Sequence, residues 1–166
     1  SPCRKASICV VILSARSREL RNEDFSRRGL SRMGRLHMAH PTNALIVDDE
    51  SHVRTFLRLM LQEVGITKVW EASDGATGIA LAQQHQPELI LLDVNLPVMT
   101  GLEVLTKLQE LEITSPVVMM TAQSSINTVS ETMRLGAVGY ILKQVPKDEA
   151  IEALREVFEN LDAEEE

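Results

Sequence analysis

The sequence predicts an α/β domain, a doubly wound parallel sheet of five strands with helices on both faces. Three observations lead there. Short apolar runs of strand length alternate five times with longer segments of helical period, the pattern of strands joined by crossover helices. The apolar runs are nearly continuous, as in strands buried on both faces. Four of them end in a polar residue of a distinct kind, Asp48-Asp49, Asp93, Thr121 and Lys143, at the edge where open α/β sheets bind ligands.

Each element has a local reason. Ala44-Leu45-Ile46-Val47 is the first strand, stopped by Asp48-Asp49-Glu50. Ser51 is the expected cap of the next helix, in which Val53, Phe56, Leu57, Met60, Leu61 and Val64 recur at helical spacing until Gly65 ends it. Thr67 to Ala72 is the second strand. Asp74-Gly75 opens a second helix with Ile79, Leu81 and Ala82 available to the core, ending before Pro87. Leu89-Ile90-Leu91-Leu92 is the central strand, with Asp93 at its carboxyl end. Pro97 to Gly101 is a loop with Thr100 as cap, and the third helix carries Leu102, Val104, Leu105, Leu108 and Leu111. Pro116 to Met120 is the fourth strand, ending in Thr121-Ala122. Ser124 or Ser125 starts a fourth helix with Ile126, Val129 and Met133, closed at Gly136. Val138 to Leu142 is the fifth strand, ending in Lys143. A last helix from about Lys147 shows Ile151, Leu154, Val157 and Phe158 on one face and dissolves into the acidic end.

Composition bounds the organisation. At 166 residues, 44% hydrophobic and 25% charged, the chain suffices for one domain with a real core, and 3% aromatics make that core aliphatic. The net charge of -7 hides a split: residues 1–37 hold nine Lys/Arg against three Asp/Glu, net +6, and the remainder eight against 21, net -13. So acidic a domain is poorly suited to hold a phosphate backbone, which excludes nucleic acid as its own partner and favours a cation or a basic one. Cys3 and Cys9 both lie in the basic head, so the domain has no disulfide framework and no cysteine chemistry. No apolar run reaches the roughly 18 residues of a membrane span, and a cytoplasmic location is expected. Residues 1–42 read as a basic, disordered head, an expression scar or leader with Met38 a candidate native start. Residues 43–161 read as the folded domain and 162–166 as an acidic tail.

In a parallel sheet the four polar strand ends face one way and converge on one crevice. Three carboxylates there would repel by roughly 4 kcal/mol per pair at about 4 Å and an effective dielectric near 20, more than one lysine offsets. All-oxygen donors favour a small hard cation, Mg²⁺ before others, with Mn²⁺ able to substitute. Beside such a cation Asp93 is a competent nucleophile for an acyl phosphate, with Thr121 and Lys143 as donors to the phosphoryl oxygens. Tyr140, three residues before Lys143, reads either as an aromatic packed at the sheet edge or as a rotamer that follows Thr121.

This set resembles the receiver domain of two-component response regulators. The acidic pair, Asp93 with Asn95 and Pro97 behind it, Thr121-Ala122, Gly136-Ala137, Tyr140 and Lys143 fall in that family's order and at similar spacing. The resemblance implies a (βα)5 flavodoxin-like fold with Asp93 as phosphoacceptor. It implies Mg²⁺ held by Asp49 and Asp93 directly, by Asp48 through water and by the backbone carbonyl of Asn95. Thr121 and Tyr140 would be the switch pair and Lys143 the phosphate contact. It further implies a signalling protein, not an enzyme beyond catalysing its own phosphorylation and dephosphorylation. A histidine kinase or phosphotransfer protein would be the donor, and a downstream protein would dock on the face made by the fourth helix, fifth strand and fifth helix. The chain stops after the fifth helix, so a single-domain regulator is expected, with a phosphorelay intermediate or phosphate sink as the alternative. A Mg²⁺-dependent phosphohydrolase with an aspartyl nucleophile fits less well, because such enzymes tend to place the nucleophile after the first strand with a second Asp two residues on. One departure stands out: Gln144-Val145 separates Lys143 from Pro146, where the family usually has proline at once, in a cis bond. A non-proline cis bond costs about 2.5 to 4 kcal/mol, so Lys143–Gln144 is expected to be trans and the switch weakly coupled.

Overall fold

Five strand–helix units in the expected order make up the computed structural model, which describes residues 41–122 and 126–165. They are β1 (Asn43–Val47), α1 (Ser51–Glu63), β2 (Lys68–Ala72), α2 (Gly75–His85), β3 (Ile90–Asp93), α3 (Gly101–Glu110), β4 (Val117–Thr121), α4 (Ile126–Arg134), β5 (Gly139–Leu142) and α5 (Lys147–Glu165). The sheet order is β2-β1-β3-β4-β5, with every neighbouring pair parallel. The basic head and the expected caps Ser124 and Ser125 lie outside the described residues.

Strand periodicity splits the core into two layers. Ala44, Ile46, Leu91, Val118, Met120 and Ile141 point to the side covered by α1 and α5, where Leu57, Met60, Leu61, Leu154, Val157 and Phe158 meet them. Leu45, Val47, Ile90, Leu92, Val117, Met119 and Tyr140 point to the other side, against Ala82 of α2 and Val104, Leu105 and Leu108 of α3. Both faces of the central strands are thus apolar, which is why their sequences show no alternation.

Several boundaries differ from the sequence reading. Ser51 is the first helical residue of α1 and Glu50 occupies the cap position without a side-chain cap bond. The third helix buries Val104, Leu105 and Leu108, but Leu111 lies past its end and is exposed. α5 runs on through Glu165 rather than dissolving after Leu161. The apolar stripe ends there, but Glu and Ala are good helix formers and carry the backbone further. Two caps match: the Asp74 carboxylate accepts from the Thr77 N–H at 2.8 Å, and Thr100 with Glu103 forms a reciprocal capping box.

The topology creates the crevice. From β1 the chain crosses to β2 on one side, then returns past β1 to β3 on the other, so the loops at the carboxyl ends of β1 and β3 part in opposite directions. Backbone pairing continues one residue past the strands there: Asp48 N–H donates to Ala72 at 3.0 Å, Val94 to Met120 at 2.9 Å and Lys143 to Thr121 at 2.7 Å. The crevice floor is therefore as rigid as the sheet.

Candidate functional site

Side chains from three strand ends meet over this floor. Asp48 and Asp93 are buried, 1% and 3% exposed, while Asp49 faces solvent. One carboxylate oxygen from each of the three lies within 4.8 Å of the others. Lys143 reaches in from the end of β5, with Nζ 2.9 Å from Asp93 Oδ2 and 2.6 Å from Asp48 Oδ2. The first contact is an aligned hydrogen bond. The second is close but misdirected, an ion pair that leaves Asp48 Oδ2 buried without a hydrogen-bond partner.

The other carboxylate oxygens are tied to the backbone. Asp48 Oδ1 accepts from the Glu50 N–H at 2.9 Å and Asp93 Oδ1 from the Asn95 N–H at 3.1 Å. Burial raises the Asp93 carboxyl above the ordinary carboxylate range, and the hydrogen bonds from Lys143 and Asn95 oppose this without reversing it. Burial by itself lowers Lys143, but the two carboxylates more than offset it and hold the ammonium above its ordinary value. One fully charged lysine thus faces three carboxylates, and the crevice carries a deficit of positive charge.

A small divalent cation fits this arrangement on the structure's own terms. The donors are all oxygen, the set that suits Mg²⁺. Asp48 Oδ2, met only by the Lys143 ammonium among the described residues, has lone-pair capacity to spare, and Asp49 at the solvent side offers an entry path.

Thr121, at the end of β4, is buried, and its hydroxyl and that of Tyr140 on β5 hydrogen-bond each other. Tyr140 is buried on the α3 side, 1% exposed, more deeply than an aromatic at a sheet edge would be. Burial raises its phenol above the ordinary value and the Thr121 hydrogen bond opposes that. The described residues contain no cis peptide bond, so Lys143–Gln144 is trans as expected.

The family model of the response regulator receiver domain matches residues 44–155, about two thirds of the chain. The chain belongs to that family. Among curated relatives, the receiver domain is 37% identical over 117 residues to the nitrate/nitrite response regulator protein NarL of Escherichia coli, covering 70% of this chain and 54% of that protein. It therefore spans about half the length of the first relatives it matches. It is 29% identical over 121 residues to the chemotaxis protein CheY of Bacillus subtilis, covering 73% of this chain and 99% of that one. Among solved structures it is similar to chemotaxis protein CheY4 of Vibrio cholerae, with TM-score 0.65, 30% identity, and 71% and 99% of the two chains covered. It is also similar to a chain of the CheX-CheY-BeF3-Mg complex of Borrelia burgdorferi, with TM-score 0.67, 25% identity, and 71% and 90% covered. Receiver domains are signalling modules of two-component systems. No helix among the described residues of this one is long and apolar enough to cross a membrane.

Two residues that touch the backbone of this receiver's site carried no signal in the sequence. Gly101 opens α3 against the backbone of β3: a Cβ there would lie 2.1 Å from the Asp93 carbonyl oxygen and 2.8 Å from Val94 Cα. Its spacing from Asp93 made it look like an ordinary loop end. Arg54 on α1 donates from Nη1 to the Asp48 carbonyl at 2.7 Å, a contact that no pattern of residue types announces.

Proposed function

We propose that this receiver domain accepts a phosphoryl group on Asp93 from a phosphohistidine of a sensor kinase or phosphotransfer protein. The observation that carries the reading is the convergence of Asp48, Asp49 and Asp93 on one crevice, with Lys143 paired to the carboxylates of Asp48 and Asp93. Asp48, Asp49, Asp93 and the backbone carbonyl of Asn95 would hold Mg²⁺, which would neutralise charge on the transferring oxygens. An oxygen of Asp93 attacks phosphorus as the bond to the donor imidazole breaks. Lys143 is already aimed at Asp93 and needs only a small movement to meet a phosphoryl oxygen. Thr121 exchanges its hydrogen bond with Tyr140 for one to a second phosphoryl oxygen, and the released phenol links the crevice to the face formed by α4, β5 and α5. There a downstream protein docks.

To turn a 1:99 equilibrium into 99:1 takes roughly 5.5 kcal/mol. One hydroxyl and one ammonium contact to a dianion, at about 1.5 to 3 kcal/mol each, approach that. The folded unit we assign runs from β1 to the end of α5, residues 43–165, working in the cytoplasm. Incubation with acetyl phosphate and Mg²⁺ should give one acid-labile phosphate, absent without the metal and absent in Asp93→Asn. An Asp93→Asn protein that still labels at the wild-type level refutes the assignment of the nucleophile.

A further inference from the structure

The bend that carries Asp49 is fastened to α1 at both ends, and at one of them by a side chain. β1 pairs with β2 as far as the Asp48 N–H, which donates to Ala72 at 3.0 Å. β2 ends at Ala72, so the ladder stops short of the Asp48 carbonyl. A buried carbonyl needs a donor, and Arg54 supplies it from Nη1 at 2.7 Å. The Glu50 carbonyl at the other end of the bend is held by the first turn of α1, accepting from the Val53 and Arg54 backbone N–H groups at 3.1 Å each, bonds that do not depend on the arginine side chain. The Arg54 side chain thereby ties the Asp48 end of the bend to the first turn of α1, with Asp49 between the two fixed carbonyls. Its guanidinium is oriented in turn by Glu71 of β2, with Nε 3.5 Å from Oε1 and the arginine side chain only 19% exposed. Arg58 engages the other oxygen of Glu71 at 2.8 Å.

We propose that Arg54 is a positioning residue for the cation site, holding this bend so that the Asp49 carboxylate faces Asp48 and Asp93. The inference rests on the magnesium reading above. It is sharp because the two roles an arginine can play here have opposite signs. A positive charge near the crevice, by itself, opposes entry of a cation, so loss of Arg54 as a mere charge should tighten Mg²⁺ binding. Loss of Arg54 as a strap should weaken it, as loss of an outer contact to a metal ligand commonly does.

The test is a calorimetric Mg²⁺ titration of the full chain, as wild type, Arg54→Met, Arg54→Lys and Glu71→Gln, with urea midpoints measured alongside. Arg54→Met is expected to lose about tenfold in Mg²⁺ affinity. Arg54→Lys keeps the charge but lacks the planar fork, and is expected to lose affinity too. Glu71→Gln leaves Arg54 in place but less well held and also removes a negative charge, so a smaller loss is expected from either cause; Arg54→Lys, which keeps the charge, serves if Arg54→Met does not fold. Unchanged or tighter binding in the folded variants overturns the proposal, even where the urea midpoint falls. A wild-type chain that takes up no Mg²⁺ overturns the magnesium reading itself, which keeps the two failures apart.

Discussion

The two ends of the sheet treat their polar groups in opposite ways. At the amino end the Thr42 N–H donates to Glu88 Oε2 at 2.8 Å and the Glu88 N–H donates to Asn43 Oδ1 at 2.9 Å, a reciprocal clamp in contact with water. At the carboxyl end two buried carboxylates share Lys143, with the carboxylate of Asp49 beside them. Burying a charge costs several kcal/mol, and one ammonium returns only part of that for two acids. The amino end is built as stability alone would build it. The carboxyl end holds an imbalance that a bound cation and a phosphoryl group would resolve.

The largest effect should come from taking the lysine away. Lys143→Met leaves Asp48 and Asp93 buried and unpaired, and at neutral pH we expect about 3 kcal/mol lost in urea unfolding. Added Mg²⁺ should recover part of that loss, because a ligand of the native state alone stabilises it by mass action. A variant as stable as wild type in metal-free buffer would mean that the crevice carries no imbalance. Next in size is Gly101→Ala. Its Cβ would overlap the Asp93 carbonyl, a backbone atom that cannot swing aside. About 2 kcal/mol should be lost, as in overpacked cores, together with Asp93 labelling. Equal labelling in the two proteins would show that α3 does not set the position of Asp93.

These contrasts explain what could be read from the sequence. Strand order and layers follow from hydrophobic runs and short connections, and the acidic and basic strand ends follow from register, since each lies one residue past an apolar run. What could not be read depends on contacts between distant segments. Arg54 meets the Asp48 carbonyl only because β2 ends where it does. Gly101 matters only because α3 starts against β3. The approach of Lys143 to Asp48, an ion pair without an aligned hydrogen bond, is a matter of angle. Val98 is fully exposed at φ +69°, a left-handed conformation that crowds a β-branched residue, and its sequence neighbours gave no hint of it.

A smaller effect, of opposite sign, should follow from Asp93→Asn, which removes an acid while leaving Lys143 paired with Asp48. Burial raises the Asp93 carboxyl in the folded chain, so the native state holds that proton more tightly than the unfolded state does. The stability linked to this group is therefore complete below the unfolded value, about 3.9, and is lost as pH rises through the higher folded value. Asp93→Asn should match wild type near pH 3.5 and exceed it at pH 7, as read from urea midpoints across that range. A variant less stable at pH 7 would show that the Lys143 hydrogen bond outweighs burial.

The smallest effect tests the other end. Asn43→Ala removes the acceptor of the Glu88 N–H, which water can reach and partly replace, so the loss should be about 1 kcal/mol. The clamp sits at the opposite end of the strands from Asp48 and Asp93. The strands between them are paired along their length and packed on both faces, so a loosened amino end is expected to leave the crevice in place. Mg²⁺ affinity and the rate of labelling by acetyl phosphate should therefore equal those of wild type, even as the urea midpoint falls. A parallel fall in Mg²⁺ affinity would mean that the two ends are coupled through β1 and β3, and that the imbalance at one end is supported by the clamp at the other.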